Sequence, residues 1–138
     1  MRIMALDLGT KTIGVALSDA TGLIARGLET IRRGPIESDF SKLAKIIAEN
    51  EVEKIVIGYP KNMNGTIGEK AKFCEAFADK VKERFPALEV LLWDERLSTV
   101  AAEKVLISAD LRREKRKKII DMMAAVVILQ NYLDSRKK

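Results

Sequence analysis

Asp7, Glu95 and Asp121 are carboxylates at positions where an acid has little structural reason to stand. Asp7 interrupts Ile3-Met4-Ala5-Leu6-Asp7-Leu8, an apolar run of strand type, although Asp is depleted in strands. Asp121 lies inside Ile119-Ile-Asp-Met-Met-Ala-Ala-Val-Val-Ile-Leu129. A carboxylate buried there costs several kcal/mol unless it is paired, hydrogen-bonded or neutralised by a metal. Glu95 follows the apolar run that ends at Trp93, with Asp94 between them. In an extended segment these two acids point to opposite sides, so spacing alone does not choose between them. The plainer readings are a turn-forming Asp7 that bonds its own backbone and an Asp121 paired with Lys117 or Lys118 one turn earlier.

Carboxylates that converge repel one another, and a divalent ion removes that cost. With oxygen donors and no soft ligands, the fitting ions are Mg²⁺ or Mn²⁺. Two such ions about 3.5–4 Å apart activate water and stabilise the leaving oxygen in in-line phosphodiester cleavage. Asp7, Glu95 and Asp121 are therefore candidate metal ligands and catalytic residues.

What the 138 residues lack narrows the chemistry further. There is no histidine and one cysteine, Cys74. A structural zinc site and a histidine-activated serine or cysteine nucleophile both fall away. No Gly-x-Gly-x-x-Gly follows a strand, and no Gly-x-x-x-x-Gly-Lys-Ser/Thr is present. A lone cysteine cannot form an internal disulfide, which fits a reducing cytoplasm. No apolar run reaches membrane-spanning length, and Met1 leads into strand residues without a signal-peptide pattern, so a cytoplasmic location is expected.

The net charge of +5 is concentrated. Arg112, Arg113, Lys115, Arg116, Lys117 and Lys118 surround the single acid Glu114, and Arg136-Lys137-Lys138 form the tail. The rest of the chain is mildly acidic. Cations at a helix N-terminus oppose the macrodipole, and a phosphate backbone beside Asp121 would offset that penalty. The pattern suits a local polyanion contact.

These residues need a scaffold, and the patterning supplies one. Residues up to Leu8 form a strand, Thr12–Ser18 its antiparallel partner, and Leu23–Ile31 a third strand after the turn-rich 18–22. Arg32 and Arg33 are expected in solvent at that strand's end. Phe40, Leu43, Ala44 and Ile47 recur at helical spacing, which predicts a helix over Asp39–Asn50 capped by Ser38 or Asp39. Lys54–Gly58 reads as a strand buried on both faces. After the loop 59–68, a helix is expected over Glu69–Phe85, with Cys74 on an apolar face beside Ala71, Ala78 and Val81. Leu88–Trp93 reads as the fifth strand. A helix follows from Ser98 or Thr99 to about Ser108, and a last one covers Glu114–Leu133. The order predicts one α/β domain over residues 1–138. Its mixed five-stranded sheet has three antiparallel strands, then parallel βα units, with helices on both faces. Functional groups collect at the carboxyl ends of parallel strands in such sheets.

Four stretches carry a resemblance across essentially the whole chain: Asp-Leu-Gly-Thr-Lys-Thr-Ile-Gly-Val-Ala at 7–16, Gly-Tyr-Pro-Lys-Asn-Met-Asn-Gly-Thr at 58–66, Trp-Asp-Glu-Arg-Leu-Ser-Thr at 93–99, and Lys-Arg-Lys-Lys-Ile-Ile-Asp-Met-Met-Ala-Ala at 115–125. Together they resemble the YqgF family, also called the RuvX or Holliday-junction-resolvase-like family. The resemblance implies a ribonuclease H-like fold in a cytoplasmic bacterial protein. The associated activity is nuclease maturation of the 5′ end of pre-16S ribosomal RNA, with Holliday junction resolution as the older proposal. It also implies that the family's acids are Asp7, Glu95 and Asp121, which favours Glu95 over Asp94.

The leading expectation is thus a metal-dependent phosphodiesterase acting on structured RNA, or alternatively on four-way DNA, as a monomer or weak homodimer. Asp7 and Asp121 would ligate metal, and Glu95 would ligate or orient water. Lys11, Arg96 and the basic residues of 112–118 would hold backbone phosphates. Asp-Leu-Gly-Thr also opens actin-like ATPases and sugar kinases, but those need two such domains and a second phosphate motif. A catalytically dead nucleic-acid-binding module is the third class, and it has no use for a buried Asp121.

Overall fold

The computed structural model describes residues 2–60, 68–94 and 113–136, with backbone alone for 113–121. Five strands form one sheet: β1 (Arg2–Leu8), β2 (Thr12–Ser18), β3 (Ala25–Arg32), β4 (Val52–Tyr59) and β5 (Glu89–Asp94). Their spatial order is β3-β2-β1-β4-β5. The first three are antiparallel neighbours, while β1, β4 and β5 run parallel. Helices α1 (Ile36–Asn50) and α2 (Glu69–Arg84) cover one face, and α3 (Arg113–Ser135) lies on the other. The expected mixed sheet with helices on both faces is the one observed. The helix expected near 98–108 lies outside the described residues.

Strand alternation sorts the side chains into two cores. Met4, Leu6 and Leu8 of β1 pack with Phe40, Leu43 and Ile46 of α1 and with Ala71, Cys74, Phe77 and Val81 of α2. Ile3 and Ala5 point the other way, toward Ala125, Ile128, Leu129, Tyr132 and Leu133 of α3. Cys74 is a buried apolar side chain, as its spacing predicts.

The α3 face is shaped by small residues. Gly27, Ala16, Ala5, Val56 and Leu91 form one row across the sheet, from β3 to β5. The three smallest lie on β3, β2 and β1, where α3 packs closest. A Cβ on Gly27 would come within 2.7 Å of Met122 Cγ and Sδ. At its other end the helix is latched. Lys54 Nζ donates to Tyr132 Oη at 2.8 Å and lies 3.2 Å from Glu89, and the Trp93 and Tyr132 rings meet edge-on with centroids 5.4 Å apart. The Tyr132 contact and Glu89 together hold the Lys54 ammonium above its ordinary range, against the opposing effect of burial.

Most element boundaries shift by one to three residues from expectation, and two of these shifts have a visible cause. β3 begins at Ala25 instead of Leu23 because Asp19 takes Leu23 and Ile24 into the hairpin loop, its Oδ1 accepting their N–H groups at 3.0 and 3.3 Å. That carboxylate also accepts from the Thr21 hydroxyl at 2.8 Å, and these hydrogen bonds hold it below the usual carboxylate range. α1 begins at Ile36, after Pro35, with no side-chain cap. Asp39, expected at or beside the cap, instead lies inside the helix, and its buried Oδ1 accepts the Gly34 N–H at 3.0 Å. Pro35 stands at the cap position, where its carbonyl accepts the Asp39 N–H at 3.1 Å and its missing N–H costs the helix no hydrogen bond.

Candidate active site

Asp7 is the next-to-last residue of β1, half-buried, and paired in register with Gly14 of β2. Alternation from Ile3 and Ala5 puts it on the α3 face. Continuing the Leu6–Ile57 register sets it beside Gly58 of β4, which in turn pairs with Trp93 of β5. Neither strand neighbour of Asp7 on that face therefore carries a side chain. β1 is central in the sheet, between β2 and β4; the β2 ladder includes Asp7, and the β4 ladder runs to Leu6, the residue before it.

The direction of α3 determines which of its residues reach that edge. Arg136 and Ile3 line a hollow with Glu53, Lys54 and Glu89, at the amino ends of the parallel strands. The helix then runs back over the sheet toward their carboxyl ends. At about 1.5 Å per residue it advances about 16 Å from Tyr132 to position 121. At about 3.3 Å per residue β1 advances about 13 Å from Ile3 to Asp7. Position 121 is one turn ahead of Ala125, which packs in the same cluster as Ala5 and Ala16. The backbone at 121 and the carboxylate of Asp7 thus lie toward the same end of the same face.

β5 discriminates between its two terminal acids. Leu91 and Trp93 belong to the α3-side cluster, whereas Val90 and Leu92 pack on the α1–α2 side. Asp94, exposed at the end of β5 and opposite Tyr59, has the parity of Val90 and Leu92. It stands on the face away from Asp7. Glu95 and Arg96 lie outside the described residues, as does Arg112. Arg113, Lys115, Arg116, Lys117 and Lys118 are placed as backbone in the first turns of α3, ahead of Asp121. Among the described residues no group of three potential metal ligands occurs. The described part of the site contributes Asp7, an oxygen donor, and the fit to a hard cation rests on that donor chemistry.

The turn after Asp7 is tightly determined. Gly9 N–H donates to Thr12 O at 2.8 Å, and a Cβ on Gly9 would come within 3.0 Å of that oxygen. Lys11, a proposed phosphate contact, is exposed at the turn. Arg33, expected in solvent, is instead the brace of this turn. Its Nη1 donates to Gly9 O at 2.7 Å and reaches Thr10 O at 3.3 Å, while its backbone N–H donates to Lys11 O at 2.8 Å. Its guanidinium lies 4.6 Å from the centre of the Phe73 ring on α2. Arg32 is exposed, as expected. The one signal for Arg33 was an arginine just beyond a strand antiparallel to β2, which pairing returns to the start of that strand.

The family described as RuvX, Holliday junction resolvase, matches residues 1–135. The chain belongs to the RuvX family. Relatives cover its full length. A protein of Desulforamulus reducens named "Putative pre-16S rRNA nuclease" is 62% identical over 138 residues, covering 100% of both chains. One of the same name from Geobacillus kaustophilus is 58% identical over 139 residues, covering 99% of this chain and all of that one. Among solved structures, Thermus thermophilus RuvC in complex with a Holliday junction substrate superposes with a TM-score of 0.61 at 14% identity, covering 99% of this chain and 96% of that one. The Fowlpox virus resolvase in complex with Holliday junction DNA gives 0.63 at 15% identity over 100% of both. At those identities the likeness is one of fold, and that fold is ribonuclease H-like. No helix among the described residues is long and apolar enough to cross a membrane.

Proposed function

We propose that this RuvX-family chain is a single-domain, metal-dependent nuclease that hydrolyses phosphodiester bonds in maturation of the 5′ end of pre-16S ribosomal RNA. The observation that carries the reading is the placement of Asp7. It is an acid on the most constrained strand of the sheet, at the carboxyl edge, between two glycine positions and at the end of the face toward which position 121 lies. The full-length relatives named for pre-16S ribosomal RNA support the substrate.

Asp7 and Asp121 hold the cation in this reading, and Glu95 holds it or orients the attacking water. Bound Mg²⁺ or Mn²⁺, as two ions, supplies an activated water and charge stabilisation at the leaving oxygen. The chain's own part is positional. A carboxylate whose backbone is held in the central strand loses less freedom when its ligand binds than one on a loose loop. Lys11, Arg96, Arg112, Arg113, Lys115, Arg116, Lys117 and Lys118 are assigned to backbone phosphates, which position a strand without reading its sequence. The absence of a membrane-spanning helix among the described residues is compatible with a cytoplasmic site of action.

A second reading, resolution of four-way DNA junctions, is favoured by the family's description. The experiment that separates them offers purified protein a precursor ribosomal RNA and, in parallel, a four-way DNA junction, each with Mg²⁺ or Mn²⁺. The reading predicts cleavage of the RNA by a monomer or weak homodimer. Cutting of the junction alone, by a stable dimer, would transfer the assignment to the DNA substrate.

A further inference from the structure

We infer that the Gly9-Thr10-Lys11 turn is a backbone phosphate-binding site whose two central amides are aimed at the substrate by Arg33. The inference rests on the nuclease reading and adds to it a site and a positioning residue. Three consecutive carbonyls of this turn, those of Gly9, Thr10 and Lys11, accept hydrogen bonds from one residue, Arg33. Because the peptide unit is planar and trans, the N–H of each following residue points opposite to the carbonyl before it. Carbonyls 9 and 10 turned toward Arg33 therefore turn the N–H groups of Thr10 and Lys11 away from it. The Arg33 guanidinium lies against Phe73, on the α2 side of the sheet. The two amides accordingly face the side that carries Asp7. Both residues are exposed, and among the described residues neither N–H has an acceptor. Two successive exposed N–H groups beside a lysine offer an anion two backbone donors and a charge.

The ligand that fits is a phosphate of a nucleic-acid backbone, on the side of the sheet that carries Asp7. Arg33 does not touch it. Its charge is spent on carbonyls and on the Phe73 ring, and its role is to hold the peptide planes. Without the guanidinium, those planes can rotate and the amides can turn to water.

The test is an amide-resolved NMR titration of the full chain with a short single-stranded RNA, without divalent cation. The Thr10 and Lys11 amide protons are expected to move downfield at saturation in the wild-type protein. In Arg33→Ala those shifts should disappear and RNA affinity should fall about tenfold, the worth of about one charge-assisted hydrogen bond. Arg33→Lys, which can serve one carbonyl, should recover part of both. In Mn²⁺ the Arg33→Ala enzyme should show a raised KM with kcat within about twofold, as for a contact made equally in ground and transition states. Unmoved Thr10 and Lys11 amides in RNA-saturated wild-type protein would overturn the inference whether or not the variants fold. So would wild-type RNA affinity in a folded Arg33→Ala protein. Failure of the nuclease reading is a separate observation: no cleavage of any nucleic acid in Mg²⁺ or Mn²⁺.

Discussion

Asp7 and Asp94 both reach the carboxyl edge of the sheet, yet they stand on opposite faces of it. Asp7 has the parity of Ile3 and Ala5, which pack under α3, and Asp94 has that of Val90 and Leu92, which pack against the other helical layer. The expected consequence is that Asp94→Asn retains cleavage within about threefold, whereas Asp7→Asn loses more than about 100-fold, beyond what outer-sphere changes at metal sites usually cost. Initial rates of the two variants on the same RNA, with melting temperatures as the fold control, check this.

That contrast also marks what could be read from the chain alone. An extended segment turns the neighbouring acids at 94 and 95 to opposite sides, but only the packing of Leu91, Val90, Leu92 and Trp93 tells which side each parity faces. Strand and helix identities followed from local periodicity, and β2 matches its expected bounds of Thr12–Ser18. Arg33 escaped because its partners are carbonyls 23 and 24 residues away, and a backbone acceptor leaves no mark in composition. Asp39 misleads for a related reason. Asp39 has the residue type of a cap, but its hydrogen bond runs back to Gly34 from inside the helix.

The contact between Gly27 and Met122 sets how closely α3 approaches β3, one residue from position 121. Gly27→Ala forces the Met122 side chain to move, since the new Cβ would lie 2.7 Å from its Cγ and Sδ. Overpacking of this kind costs about 1–3 kcal/mol, and a flexible methionine places the expected loss near the lower end. Combining it with Met122→Ala should relieve the clash, giving a coupling of more than about 0.5 kcal/mol in a double-mutant cycle. Denaturant melts of the wild type, both single variants and the double variant measure it.

The Lys54–Tyr132 latch predicts a stability change in alkali. Lys54 titrates higher folded than its ordinary 10.5, first through the Tyr132 hydrogen bond and then through Glu89. A group raised on folding stabilises fully below its unfolded value, and that contribution is lost as pH rises through the folded value. Unfolding free energy should therefore decline above about pH 10.5 more steeply than in Lys54→Met. Tyr132→Phe should cost about 1 kcal/mol at neutral pH, the net worth of one hydrogen bond.

The basic residues that open α3 predict a salt signature. If Lys117 and Lys118 each meet a phosphate, changing both to Gln should weaken RNA binding across sequences. It should also reduce the slope of log affinity against log salt by about 0.7 for each contact on a single strand. Binding titrations at several salt concentrations, without divalent cation, report both quantities.

The measurement nearest the central claim is Mn²⁺- or Mg²⁺-dependent cleavage of precursor ribosomal RNA by the wild type and by Asp7→Ala, Glu95→Ala and Asp121→Asn. All four proteins should fold alike. The wild type alone should cut, and removal of the metal by chelation should silence it. Full activity in a folded Asp7→Ala protein would contradict the account.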